Sequence, residues 1–483
     1  MMTTALNSHA LTGDDKTAVS QPPMEKCVVA NRTDGLGARL KAVVNGVWMA
    51  SVLGVPFRLE WRGRSKQMNA FHAVVPATKM FSADFLKRYE VPGKLNVRNL
   101  VPITQRNVSV AELKARLMMP DCEGLLAGNG DYELSGDVEL NDGIASRARA
   151  FSMVDFHPSV VSYIDQARSV PLPPKPAAIH LRAGDIVYGA HREKGVFTDK
   201  VISLPTAKRI IETLQADGYS VIVYGQDHEV LQYLKHTYVL TLGNEIMLPG
   251  QHESHQEAIF EMTTMSRCEK IVAGDSNFAI LACWMAGQKR NGPEDFFSDL
   301  AQAEVILDDL SRNANVYPPL QTAFAYWSAF FWGEKDLDAA VLDFALDQAE
   351  LYDPENGLYR ITRVKRAVQQ RDYVLAEALI QKAFNSESYD RDLWDIPLIR
   401  SLLLTDLKSK KRKYFEPYFS HVHKMGELGL PYGAACSAVI RAKKGDEDLA
   451  QLALSRASEV GLPSEWHPKF EQALRHFRTI SPS

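Results

Sequence analysis

The sequence predicts an α/β protein with parallel sheets and an all-helical C-terminal region. Three observations lead there. Between residues 177 and 287, short apolar runs alternate with amphipathic helical stretches, the pattern of parallel strands joined by helical crossovers. A smaller strand, turn, helix, strand unit with a Gly-rich turn precedes it at 27–61. From about 316 onward strand patterning stops, and Leu342, Leu346 and Ala349 recur 34 residues later as Ala376, Ile380 and Ala383, a period of stacked helix pairs.

At 483 residues the chain is too long for a single core. With 46% hydrophobic and 24% charged residues it has the make-up of a globular protein. A net charge of −4, with no basic stripe interleaved with aromatics, gives no general attraction for nucleic acid. The five cysteines, Cys27, Cys122, Cys268, Cys283 and Cys436, are odd in number and far apart. They predict a reduced, intracellular protein without a disulfide framework or a zinc pattern. Residues 1–24 are polar and read as a disordered leader, and no later run is long and uncharged enough to span a bilayer, so a soluble, cytoplasmic chain is expected.

Taken in order, 27–30 reads as a buried strand and 31–37 as a turn, after which Leu36, Leu40, Val43, Val44 and Val47 share one helical face. Gly54-Val55-Pro56 stops that helix, and 57–61 alternates as a second strand. Signals weaken from 62 to 155, apart from a short helix at 110–118. A helix at 159–167 is followed by a stiff, extended, proline-rich linker at 171–176, which divides a domain over 25–170 from one over 177–315. In the latter the strands are 177–181, 220–224, 239–242 and 270–273. Its helices are 205–216, 227–235, 256–265 and 278–285. A helical region over 316–480 completes the chain. Stacked helix pairs make surfaces for protein partners or for a second copy of the chain, so this region is expected to be a separate module that recruits the acceptor or a second subunit and takes no part in donor binding. Within it Lys408, Lys410, Lys411, Arg412 and Lys413, beside Tyr414, Phe415, Tyr418 and Phe419, read as a solvated loop or as a peripheral contact with an anionic membrane surface.

The run Ala178-Ile179-His180-Leu181-Arg182-Ala183-Gly184-Asp185 carries an apolar strand straight into a loop with an imidazole, a guanidinium and a carboxylate. In open α/β sheets the ligand crevice lies outside the carboxyl ends of the strands. Arg182 is planar, permanently charged and able to bond two phosphate oxygens, so it suits a diphosphate better than a lysine. Two further turns end strands. Asp34-Gly35-Leu36-Gly37 lets backbone approach a ligand at a helix N-terminus. Gly274-Asp275-Ser276-Asn277 offers hydroxyl, amide and N–H groups to phosphate or sugar oxygens, or is no more than an N-cap. Triplets such as Asp336-Leu337-Asp338 and Asp390-Arg391-Asp392 fall in the helical region, and no Asp or His cluster with metal-ligand spacing occupies a sheet-end loop, so no metal is expected.

Three segments, in this order and over roughly 26–290, resemble the fucosyltransferase superfamily of GT-B glycosyltransferases. Gly35-Leu36-Gly37-Ala38-Arg39-Leu40 is similar to that family's G-x-G-N-R-L turn, with Ala38 in place of the usual Asn. His180-Leu181-Arg182-Ala183-Gly184-Asp185 resembles H-x-R-R-x-D, with Ala183 in place of the second Arg. The stretch from Glu261 through Met265-Ser266-Arg267-Cys268-Glu269-Lys270-Ile271-Val272 to Ser276-Asn277-Phe278 is similar to its acidic helix, strand and polar turn. The resemblance implies two Rossmann-like domains facing across a cleft, acceptor side first and donor side second. It implies inverting, metal-free transfer of fucose from GDP-fucose to a glycan, glycolipid or other hydroxyl acceptor, as in polysaccharide biosynthesis, with no cofactor beyond the donor.

By the same resemblance Arg182 neutralises the β-phosphate as GDP leaves, His180 and Glu261 contact the guanine, and Ser276 and Asn277 close around the diphosphate with Asp275 beside them. Gly35, Gly37 and Arg39 of the first motif join the donor-binding set. Asp34 and Asp185 are both candidates for a catalytic base, and sequence prefers neither. With Ala38 and Ala183 replacing two motif residues, the alternatives are a catalytically silent scaffold acting through its helical repeats, and an enzyme using another nucleotide sugar. The repeats, TPR-like in period, are the expected surface for a protein partner or a homodimer.

Overall fold

A computed structural model of the chain describes residues 25–61, 74–91, 99–105, 107–135, 143–189, 191–247, 249–250, 252–386 and 412–480. The leader 1–24 and the basic residues Lys408, Lys410 and Lys411 lie outside them. The chain folds as two compact units, one carrying the described residues up to Pro158 and the other those from Ser159 onward. The division falls ahead of the proline run.

In the first unit, β1 (Cys27–Asn31) is fully buried over Cys27, Val28 and Val29, which is why this short run reads as continuous hydrophobic sequence. Helix α1 (Leu36–Leu53) follows, closed at Gly54, and returns the chain to β2 (Phe57–Glu60). With β3 (Leu100–Pro102) and β4 (Gly124–Ala127) these form a four-stranded parallel sheet in the order β2-β1-β4-β3. Helix α2 (Gly143–Ser152) packs on α1.

The second unit begins with α3 (Pro158–Ser169) and alternates through β5 (Pro176–Leu181), α4 (Leu204–Ala216), β6 (Ser220–Gly225), α5 (His228–Thr237), β7 (Thr241–Leu242), α6 (Ser254–Met265), β8 (Lys270–Ala273) and α7 (Asn277–Ala286). Its strands are parallel in the order β8-β5-β6-β7. Strand β7 is shorter than the expected 239–242, because Val239 stands in solvent. Alternation divides β5 between the two faces of the sheet. Ala177, Ile179 and Leu181 enter a core with Ile210, Ile211 and Leu214 of α4. His180 points the other way, toward Phe278 of α7.

The rest is helical: α8 (Asp299–Asn313), α9 (Pro319–Gly333), α10 (Ala339–Tyr352), α11 (Gly357–Gln369), α12 (Tyr373–Ser386), α13 (Arg412–Glu427), α14 (Pro431–Lys444), α15 (Glu447–Glu459) and α16 (His467–Ile480). Helices α10 and α12 start and end 34 residues apart, and the six recurring residues on them are all buried. Among the described residues no helix is long and apolar enough to cross a membrane.

Helices α9 and α10 do not behave as a module apart from the sheet. One hydrophobic core runs from Ala177 through Leu214, Ile306, Phe324, Trp327, Phe330 and Leu346 to Tyr359. A second core begins at Ile361, so the limit between cores falls inside α11 and not near 316. The reason is legible in α9, which is buried from Gln321 to Phe330 without a break. A helix apolar all round must be covered on more than one side. Polar ties accompany the packing: Lys208 Nζ of α4 bonds Asp309 Oδ1 of α8 at 2.5 Å and the Tyr317 hydroxyl at 2.8 Å.

Leu346→Ala should therefore destabilise the chain by about 2–5 kcal/mol, the usual cost of a core Leu truncation. Heat or urea scans should show it lowering the same transition that Ile210→Ala lowers. Separate transitions for the two variants would contradict a shared core.

Candidate functional site

The ends of β5 and β8 are neighbours because His180 pairs in register with Ala273. Adjacent strands lie about 4.8 Å apart, so whatever follows His180 and Ala273 shares one sheet end. After β5 come Arg182 and Asp185. Gly184 takes a left-handed φ of 32°, a conformation that favours glycine. The chain then turns so that Arg182 Nη2 bonds Asp185 Oδ1 at 3.0 Å. Asp185 is only 4% exposed, and its other oxygen lies 3.6 Å from His191 Nε2. After β8 come Gly274, Asp275 and Ser276, then α7.

Three side-chain atoms at this sheet end are buried without a hydrogen-bond partner: Nδ1 of His180, Nε of Arg182 and Oγ of Ser276. Buried polar atoms are almost always satisfied, so each exception calls for an explanation. Ser276 occupies the N-cap of α7, yet its hydroxyl makes no capping bond. The Ser276 hydroxyl is therefore left without a capping bond at a helix N-terminus. Asp275 is exposed, and Asn277 forms the first turn of α7.

Burial, followed by the neighbouring Arg182 charge, pushes the His180 imidazole down to about 4, so the ring is neutral near pH 7. Its face lies 5.3 Å from the Phe278 ring. Glu261 sits on α6 and is pushed up to about 8 by burial and by Glu257 one turn earlier. Tyr224, which pairs in register with His180, bonds Thr264 of the same helix.

The end of the loop 191–200 lies against the turn that follows β8. A Cβ on Gly274 would come within 2.5 Å of the Lys200 carbonyl, and the Asp275 N–H donates to Asp199 O at 2.9 Å. Glycine at 274 therefore admits this loop. Sequence reading missed Thr198 and Trp327, which are bonded to each other and lie outside the motifs.

The remaining candidates belong to the first unit. Asp34 pairs with Arg32, Nε to Oδ1 at 3.1 Å, and both side chains are open to solvent. Gly35 has an ordinary extended φ of −67°, and Gly37 lies in the first turn of α1. Arg39, expected to bind the donor, is buried: its Nε bonds Asp34 O at 2.6 Å, its Nη2 bonds Thr33 O at 3.1 Å, and its guanidinium lies 5.6 Å from the Trp61 ring. That geometry fixes the loop. Asn45 does the same for the turn after β4, donating to Gly128 O at 3.0 Å and Gly130 O at 2.9 Å. Arg147 lies beside it, over the Trp48 ring at 4.3 Å, and burial pushes it down to about 10.

No family model matches the chain, and no curated protein does. Solved structures are similar to it. The apo form of POFUT1 is 11% identical at a TM-score of 0.31, over 57% of this chain and 99% of that one. The NodZ alpha-1,6-fucosyltransferase soaked with GDP-fucose is 11% identical at 0.33, over 54% and 92%. The fucosyltransferase NodZ from Bradyrhizobium is 13% identical at 0.34, over 53% and 92%.

The two shifted groups give opposite pH signatures. Glu261 holds its proton more tightly when folded, so its contribution to stability is complete below the ordinary Glu range and is lost as pH rises toward 8. His180 contributes above 6.5, and that part is lost as pH falls toward 4. Glu261→Gln should raise the melting temperature relative to wild type at roughly pH 8.5 and leave it unchanged at about pH 5. A constant difference across that range would contradict a buried, protonated Glu261.

Proposed function

We propose that the chain is an inverting, metal-independent glycosyltransferase that moves fucose from GDP-fucose to a hydroxyl acceptor. The observation that carries the reading is the set of three unpartnered buried atoms, His180 Nδ1, Arg182 Nε and Ser276 Oγ, at one sheet end. A diphosphate between β5 and α7 would accept from Arg182 and Ser276 and face the positive end of the helix. A base stacked nearby would meet the neutral His180 ring. Glu261 would regain its charge if the paired N–H groups of a guanine donated to it, since hydrogen bonds to a carboxylate favour the ionised form.

In this reading the acceptor oxygen attacks the anomeric carbon from the face opposite the diphosphate. The bond from that carbon to the diphosphate oxygen breaks, its electron pair leaves with GDP, and the acceptor proton passes to a base. Arg182 meets the charge that develops on the leaving oxygen. Asp185 is buried and bound to Arg182, the situation of a group that orients the guanidinium; Asp34 is the more open of the two carboxylates. Among the described residues no three His, Cys, Asp or Glu side chains gather as a metal site requires.

Arg182→Ala and Arg182→Lys should both fold and lose turnover about a hundredfold, near 3 kcal/mol of transition-state stabilisation. Release of GDP from GDP-fucose, compared with release of UDP from UDP-sugars, measures this and fixes the donor. A lysine variant at wild-type rate would refute the phosphate role. Activity should also survive EDTA; loss on chelation with recovery on manganese or magnesium would overturn the metal-free assignment.

A further inference from the structure

We infer that the helical region positions the donor loop, so that donor affinity depends on Trp327 and on the 353–358 turn, outside the α/β domain. This rests on the donor site proposed above. Two independent ties connect the two, and a third anchors Tyr188, ahead of the loop. Trp327 Nε1 of α9 donates to Thr198 Oγ1 at 2.8 Å, and Thr198, itself 2% exposed, donates to Gly195 O at 2.8 Å. A Cβ on Gly195 would come 3.0 Å from the Trp327 ring and 3.4 Å from Leu358, so the loop is seated against both. Next, Asn356, buried in the turn between α10 and α11, donates to Arg192 O at 3.4 Å and to Asp353 Oδ2 at 3.0 Å. The Arg192 guanidinium returns the contact, 3.2 Å from Glu355 and 3.8 Å from Asp353. Finally, Gln321 Nε2 of α9 donates to Asp227 Oδ2 at 2.6 Å, the carboxylate that also receives the Tyr188 hydroxyl.

The segment held in this way touches the site at both ends. The His191 N–H donates to Asp185 O at 2.8 Å and its ring faces the Asp185 carboxylate, which holds Arg182. At the far end Asp199 O receives the Asp275 N–H, beside Ser276. Trp327 and Thr198 are thus positioning residues: they touch no ligand and fix the two groups that would. If the docked loop is only fractionally populated, apparent affinity falls by that fraction.

Calorimetric titration of GDP into the full chain tests this. Thr198→Val removes the hydroxyl and leaves the Trp327 N–H buried and unpaired; it should weaken GDP binding roughly tenfold. Thr198→Ser keeps the hydroxyl and should restore affinity to within about twofold of wild type. Trypsin should cut the valine variant faster after Arg192 or Lys194. Trp327→Phe, which keeps a ring and loses the N–H, repeats the test if the valine variant does not fold. A valine variant with lowered melting temperature but wild-type GDP affinity, while Arg182→Ala loses GDP, would refute positioning and spare the donor site. Wild-type chain that binds no GDP would sink the donor site and this inference with it.

Discussion

A buried polar atom left without a partner costs roughly 1–3 kcal/mol, and the second sheet concentrates three of them where β5 and β8 end. The register of those strands makes this possible: His180 beside Ala273 brings the Arg182 loop next to the turn that starts α7. Packing cannot relieve the three atoms, because the same strands are locked by Ile179 and Val272 in the core behind them. In the donor site proposed above, a ligand with anionic oxygens would relieve Arg182 Nε and Ser276 Oγ.

That arrangement needs a rigid frame, and the frame extends beyond the α/β domain. Helices α9 and α10 share the core of the second sheet, and α9 meets the site loop through Trp327. Glycine at 274 is the complementary constraint, since a side chain there would meet the Lys200 carbonyl at the end of the loop. The site is thus assembled from strand ends, a helix N-terminus and a loop seated on a neighbouring helix.

Much of the architecture was legible because strand and helix periods differ: the alternation over 177–287 located each strand and crossover helix of the second sheet. The placement of His180, Arg182 and Ser276 at strand ends was legible because polar groups there stand out against apolar flanks. The state of Ser276 was not, since a capping hydroxyl and an uncommitted one have the same sequence. Arg39 illustrates a related limit: a guanidinium beside a Gly-rich turn can face a ligand or the turn's own carbonyls, and the structure shows the second. The contact from Trp327 to Thr198 spans 129 residues and leaves no local pattern. The end of strand signals near 316 marked a change of secondary structure without a change of core. The apolar stretch of α9 from Ala323 to Trp332, interrupted by Ser328 alone, was the available sign that its helix would be covered on several sides.

The most direct measurement is a crystal structure of the full chain with GDP. Diphosphate oxygens within hydrogen-bonding distance of Arg182 Nε and Ser276 Oγ, with both atoms now satisfied, are the expected result. GDP bound elsewhere, or bound while those two atoms stay unpartnered, would contradict the assignment of this sheet end as a nucleotide-sugar site.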